Sequence, residues 1–434
     1  MKRRANAMLL VGLAAIMFVL GYVARRNEWV PLSWREAAHN SVASSRPGDV
    51  RRDRPFQGDA FPLQDRSGGL DAEARASLNA MGYAAGTKPA SAQSGVTEYD
   101  SAAALNGLNL YTSGHAPEAI LMDMNGAVLH TWRCTLDAAL PGYVPPPYVR
   151  DAARQSWRRA YLYPDGGLLA IFEGMALIKL DRNSNVLWTY AAGCHHDLSV
   201  LPKGGIYVLT SEERDGIIDN GIAFLDDNGK ELRRISILDC FRHSPYAPLL
   251  EWMPKRGDVL HVNAIKMLDG SHAGSNPAFA GGNLLISVLT LNTIAIVNLD
   301  NKTVPWALTG LTKAQHEPTL LSNGNLLVFD NRGAGEHSRV LEVNPATHGI
   351  VWQHPQDVGP TFYSEWCGSA QRLANGNTLI TESDNGRAFE VTPDHRIVWE
   401  FINPNQFNEN GVQMVAALFD CMRLDDTFVT EWLR

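Results

Sequence analysis

The sequence contains no CxxC pair, no HxH and no HExxH. Its five cysteines, Cys134, Cys194, Cys240, Cys367 and Cys421, are too scattered for a zinc ribbon, and the odd count leaves at least one thiol unpaired within a monomer. Export would permit one or two disulfides. Positive charge is also scarce. A formal net charge of -8 argues against a general nucleic-acid binder, which carries a basic face. It leaves room for one locally positive cleft. Apolar material is not scarce: 45% of 434 residues is enough for the core of one large domain or two ordinary ones.

The amino terminus lacks a clean A-x-A cleavage site. Residues 1–26 read MKRRANAMLLVGLAAIMFVLGYVARR, in which a basic cluster at Lys2–Arg4 precedes an apolar run from Ala7 to Ala24. The alternatives are a cleaved signal peptide and an uncleaved signal anchor. The run is about long enough to span a bilayer core, and Arg25 and Arg26 follow it directly, which favours the anchor. The basic cluster puts the amino terminus in the cytoplasm and the rest of the chain outside it. Residues 27–104 have little periodicity and carry Pro-, Gly-, Ser- and charge-rich clusters such as SSRPGDVRRDRP and GTKPASAQSG. That is the composition of a flexible linker.

From Leu105 two short signatures recur. One is a polar turn and a strand reaching tryptophan: NGAVLHTW at Trp132, NSNVLWTY with Trp188, KTVPW at Trp306, HGIVW at Trp352 and HRIVW at Trp399. A weaker copy, NGKELRRI, begins at Asn228 and lacks the tryptophan. The other signature is a turn and a strand: PDGGLLAIF, PKGGIYVLT, AGGNLLISV, SNGNLLVFD and ANGNTLITE, with LDDTFVTEW as a degenerate sixth. Asn-Gly and Asp-Gly supply the positive φ of tight hairpins, and Val, Ile, Leu and Trp suit a half-buried pleated surface. A single meander cannot bury both faces, whereas meanders stacked about an axis can. The pattern predicts an all-β, six-bladed propeller over residues 105–434, with the tryptophans packed between blades. Insertions at 136–157, 240–258 and 270–282 read as loops bordering a site.

Aligned by their turns, the units place polar residues in one slot of the predicted innermost strand, to within one position. His195 and His196 occupy it in CHHDLSVLPKGG, His261 in HVNAIKMLDG, His316 in QHEPTLLSNGN, Cys367 in EWCGSAQRLANGN, and Arg158 beside Trp157 in SWRRAYLYPDGG. Innermost strands face the axis, so the slot defines one place at the channel mouth. Core packing gives no reason to put histidine there repeatedly. The chemistries open to this set are metal binding and group transfer with a nucleophile, an acid/base and an anion stabiliser. Without HxH or HExxH spacing no metal is indicated.

The stretches HHDLSVLPKGG, LHVNAIKML, AQHEPTLLSNGNLLVFDN and NGNTLITESDNGRAFEVTPDHRIVWEF resemble the bacterial arylsulfotransferases over roughly Leu105 to Phe401. The resemblance implies a six-bladed periplasmic propeller that moves a sulfuryl group from an aryl sulfate to a phenol. It implies a sulfohistidine intermediate and no cofactor. His316 matches the nucleophile, and His261 and either His195 or His196 match the supporting histidines. Arg158, Asn263 and Cys367 are the candidate substrate contacts. The family carries an arginine on the strand after the second histidine. Here that strand reads ISVLTLNTI, and Leu289 stands at the arginine position. An apolar side chain cannot hold a sulfuryl oxygen, so Arg158, Arg332 or Arg387 would have to substitute. The family's separate amino-terminal β domain has no clear counterpart.

The expectation is a single-pass protein of a bacterial inner membrane with its propeller in the periplasm, taking small aryl sulfates and phenols and no nucleic acid. The alternative is a non-catalytic tethered propeller that binds a protein or ligand through its loop-rich face. A quinoprotein dehydrogenase would need eight blades and central metal-ligand acids, and neither pattern is present.

Overall fold

A computed structural model describes residues 88–333, 337–356, 362–409, 411–425, 428 and 431–433. The expected membrane segment and the linker through residue 87 lie outside them. Among the described residues no helix is long and apolar enough to cross a membrane.

The architecture is all-β and propeller-like. Two plain antiparallel meanders run Val262–Met267, Leu284–Val288, Thr293–Asn298, Thr303–Thr309 and His316–Leu320, Leu326–Asp330, Arg339–Val343, Ile350–His354. A third comprises Ser369–Arg372, Thr378–Glu382, Arg387–Val391 and Ile397–Ile402. Gly95–Tyr99 adds a fifth strand at its outer edge, so part of the stretch read as linker belongs to the sheet. The reason is a short pairing-competent run, GVTEY, too brief to register as periodicity. A larger sheet runs in order from Arg159–Leu162 to Glu231–Ser236. Its strand Val186–Val200 is 15 residues long, pairing first with Met175–Leu180 and then with Ile206–Arg214.

Lys88–Pro89, Val412–Val415 and Gln406–Glu409 form a small three-stranded sheet, and a further sheet joins segments some three hundred residues apart. Leu418–Asp425 pairs with Gly107–Ser113, which continues to Glu118–Met122 and Val128–Arg133. LDDTFVTEW is therefore not a further turn-and-strand copy. Its first residues finish the closing strand, and Glu431–Leu433 forms a 3-10 turn. The periodicity misled because the second strand of this unit lies some three hundred residues upstream, at Gly107–Ser113.

The recurring tryptophans bind neighbouring units, as their spacing predicts. The Trp132 indole N–H donates to the Gly166 carbonyl at 3.0 Å, that of Trp399 to Met124 at 2.9 Å and that of Trp352 to Pro393 at 3.0 Å. Each ring lies on one sheet and its acceptor in a turn of the next. All five cysteines are buried and free. They are dispersed over separate elements, Cys194 and Cys421 on strands and Cys240 in a short helix.

The innermost strands, those starting at Arg159, Val262, His316, Ser369 and Leu418 together with the second half of Val186–Val200, succeed one another around the axis. A buried ion network ties them together. The Arg159 guanidinium bonds Glu317, contacts Asp420 Oδ2 at 2.6 Å and approaches Asp197 Oδ1 at 3.3 Å. Lys266 Nζ lies 3.1 Å from both Asp197 and Glu317. Ser369 Oγ donates to Asp420 Oδ1 at 2.9 Å. Burial pushes the Asp197 carboxyl up, but Lys266 and Arg159 outweigh it and hold the group below its usual range. Attraction between unit charges at 4 Å is worth about 4 kcal/mol at an effective dielectric of ~20. Desolvation costs several kcal/mol per ion. The intact network therefore comes near balance, whereas a broken one is expensive. Arg159→Met is expected to destabilise the fold by about 3–5 kcal/mol near neutral pH. The loss should shrink as acid protonates the orphaned carboxylates. Urea unfolding across pH checks this, and a pH-independent loss would point to packing instead of charge.

Candidate active site

One layer along the same strands lie the candidate catalytic side chains. Arg158, His196, Asn263 and His316 each stand five residues before the residue that opens the following turn, namely Tyr163, Leu201, Leu268 and Leu321. The slot was legible, but its register differs for two residues. His261 falls two positions before it, with Asn263 in the slot, and Cys367 falls one before, with Gly368 in the slot.

Bulges produce this layer. Successive strand residues normally face opposite sides of a sheet. Here the pairing register slips between Leu198 and His195, at Asn263, and between His316 and Thr319. His196, His261, Glu317 and Cys367 adopt left-handed φ of 52°, 47°, 50° and 57°. Such non-glycine conformations cost of order 1–3 kcal/mol each and concentrate at functional sites. A bulge re-aims a side chain, so both His195 and His196 are brought together where an ordinary strand would splay them. Their Nδ1 atoms are 3.0 Å apart, and the His196 and His261 ring centroids are 4.7 Å apart.

His316 is 3% exposed, and its Nδ1 lies 2.8 Å from Asn331 Oδ1 and 3.1 Å from the Ala314 carbonyl. Both partners accept, so Nδ1 carries the proton and Nε2 keeps its lone pair. The amide orientation of Asn331 is fixed because its Nδ2 donates to the carbonyls of Ser364 at 2.9 Å and Cys367 at 2.6 Å. Burial, then the Arg158 cation, lowers the His316 imidazole to about 3, against a smaller opposing pull from Asn331. His316 is therefore a neutral base with one free nitrogen throughout the ordinary pH range. Asn331, the last residue of the stretch AQHEPTLLSNGNLLVFDN, is its positioning residue. Cys367 serves through its carbonyl, and burial pushes its thiol up.

His261 has an anionic partner instead. Asp258 accepts from His261 Nδ1 at 2.7 Å and from its backbone N–H at 2.9 Å. Asn220 donates to Asp258 at 3.2 Å. Burial raises the Asp258 carboxyl, but His261 foremost draws it below its ordinary value. Asp258 sits inside a stretch read as a loop insertion. The D-x-x-H spacing from Asp258 to His261 was the available signal.

Asn263 Nδ2 donates to the Gln315 carbonyl at 2.9 Å, linking the His261 and His316 strands. Its Oδ1 is buried without a hydrogen-bond partner among the described residues. Leu289 is buried, and its backbone N–H donates to the His261 carbonyl at 3.2 Å, so an apolar side chain does stand beside this histidine. Of the three arginines weighed as substitutes, Arg387 pairs with Glu382 and Glu400, and Arg332 with Glu365. Arg158 is buried, lies 5.8 Å over the Phe419 ring, and is the one whose charge reaches His316 and His196. His196 is pulled well below its usual range by burial, then by His261 and His195. Glu173, from the turn between Leu168–Phe172 and Met175–Leu180, completes the layer. Its Oε2 accepts the His196 backbone N–H at 2.8 Å. Glu173 was not singled out from the sequence.

A profile of the arylsulfotransferases (ASST) matches residues 160–404, more than half of the chain. The chain belongs to the arylsulfotransferase family. Similar solved structures include a Bacteroides caccae protein of unknown function, 13% identical over 72% of this chain and 98% of that one, with a TM-score of 0.47. A streptogramin B lyase is 15% identical over 76% of this chain and 92% of its own, with a TM-score of 0.43. No curated protein matches the chain.

The depressed His316 value has a thermodynamic consequence. Unfolded, this imidazole titrates near 6.5, and folded near 3, so between the two the unfolded chain holds the extra proton. Stability contributed at neutral pH is lost as pH falls from 6.5 toward 3. A His316→Gln variant is expected to lose less stability than wild type across that window. Parallel denaturant titrations check this, and identical slopes would refute it.

Proposed function

We propose that the chain transfers a sulfuryl group between phenolic compounds through His316. The observation that carries this reading is the Asn331 contact, which commits the His316 proton to Nδ1 and leaves Nε2 as a nucleophile. The Nε2 lone pair attacks sulfur, and the N–S bond forms as the bond to the aryl oxygen breaks. That oxygen leaves with the electron pair and takes a proton from His261, for which Asp258 provides the counter-charge. In the second half, His261 takes the acceptor phenol's proton and the new phenolate attacks sulfur. The S–N bond then breaks, and its electron pair returns to Nε2. Arg158, whose charge reaches His316 and His196, would supply the charge-assisted donor for the sulfuryl oxygens, with His195, His196 and Asn263 as further candidate contacts. No cofactor enters these steps.

The same reading counts the long sheet as two blades sharing Val186–Val200, which makes six blades over residues 105–434. It takes residues 1–26 as an inner-membrane anchor and the stretch after them as the tether of a periplasmic propeller. The support is the basic and apolar patterning of that segment.

The burial of Leu289 beside His261 favours a second reading, a propeller that binds a partner or ligand without turnover. Intact-mass spectrometry after incubation with 4-nitrophenyl sulfate, without acceptor, separates the two. A sulfuryl adduct mapping to His316, absent in His316→Ala, is expected. Folded wild-type protein that takes no adduct from several aryl sulfates would sink the transferase reading and favour the binding propeller.

A further inference from the structure

The bulge that turns His196 back toward His195 also aims both imidazoles at one carboxylate. His195 Nδ1 lies 3.0 Å from His196 Nδ1, which lies 2.9 Å from Glu173 Oε1. One ligand atom from each residue falls within 4.8 Å of the other two. The three residues are each at most 4% exposed.

Protons do not satisfy this cluster well. A neutral imidazole has one N–H. If His196 Nδ1 carries it, the hydrogen can point to the His195 nitrogen or to Glu173, but not to both. The 2.9 Å approach to Glu173 is close yet poorly directed, and Glu173 Oε1 is left without a hydrogen-bond partner among the described residues. The carboxylate is nevertheless held in place, because Oε2 accepts the His196 backbone N–H. A cation at the centre of the three lone pairs would satisfy all of them at once.

We propose that Glu173, His195 and His196 bind a divalent transition-metal ion, with Zn2+ the best match. Two imidazoles and one carboxylate are a donor set of catalytic zinc sites, in which a fourth position stays open for water or substrate. Carboxylate with imidazole also disfavours Ca2+ and Mg2+, which take oxygen ligands. The 4.7 Å approach of the His196 and His261 rings puts the ion beside the acid/base residue. There it supplies positive charge for a developing oxyanion. The inference goes beyond sulfuryl transfer and is read without substrate. An adduct on His316 from metal-free protein would leave transfer standing and remove the ion, and a zinc-loaded protein that forms no adduct would do the reverse.

The experiment is elemental analysis of the full chain, purified without chelator and without a polyhistidine tag, followed by Co2+ substitution. One Zn2+ per chain surviving gel filtration is expected, as are visible d–d bands of low-coordinate Co2+. Glu173→Gln and His195→Ala should each lower Zn2+ affinity by at least the ~10–100-fold that loss of an outer-shell partner costs. His316→Ala should retain the ion, and circular dichroism confirms that each variant is folded. If the ligand variants fail to fold, the rise in unfolding temperature of wild type on adding Zn2+ stands in for them. Folded wild type that retains no metal, develops no Co2+ bands and is not stabilised by Zn2+ overturns the proposal and leaves the cluster a proton relay.

Discussion

Arg159 is the constraint on which the rest of the molecule depends. Its guanidinium meets carboxylates from three other inner strands, Asp197, Glu317 and Asp420. A planar fork with several fixed donors suits this task better than a lysine ammonium, a compact point charge on a flexible stem. Lys266 takes the easier job of bridging two of the same acids from a partly exposed position. Two of the acids sit next to a residue of the site, Asp197 after His196 and Glu317 after His316, and Arg159 itself follows Arg158. The network thereby sets the height and rotation of each catalytic strand. A shift in one strand would move an imidazole and break an ion pair together.

Above this floor the two central histidines receive different supports. His316 is held by an amide, which orients the ring without adding charge, so burial and Arg158 prevail and the imidazole stays neutral. His261 is held by the Asp258 carboxylate, which offers a negative neighbour to a ring that must pick up and release a proton. In the proposed transfer, a neutral partner would suit the nucleophile and an anionic one the acid/base. Family membership and this pair of partners point the same way. Leu289 does not, and on the proposed reading the positive charge would come from elsewhere in the layer, where Arg158 acts on both His316 and His196.

Much of this was legible in the sequence because hairpin turns and β-periodicity are local. Asn-Gly turns and tryptophan-ended strands mark the meanders, and the repeated histidine slot marks the site. What escaped was non-local or depended on bulges. A one-residue bulge cannot be seen in a turn-based alignment, so His261 and Cys367 were placed one or two positions off. Asn331 looked like the end of a strand, and Glu173 like an ordinary turn residue, because their partners lie on other sheets. The charged residues just after the slot, Arg159, Asp197 and Glu317, were visible in sequence. Their opposite signs at one repeat position were the unused clue to the axis. The closing strand was missed for a similar reason, since its partner is at the far end of the chain.

That closing strand has a consequence for biogenesis. Leu418–Asp425 is synthesised some three hundred residues after Gly107–Ser113, and it contributes both the inner strand beside that segment and the Asp420 carboxylate that Arg159 meets. Until it arrives, Gly107–Ser113 presents an open edge and Arg159 has only Asp197 and Glu317 of its three carboxylates. Vectorial synthesis can therefore build individual sheets but not the ring. Until then the nascent chain is an array of sheets with an exposed strand edge, the form in which β proteins most need chaperones.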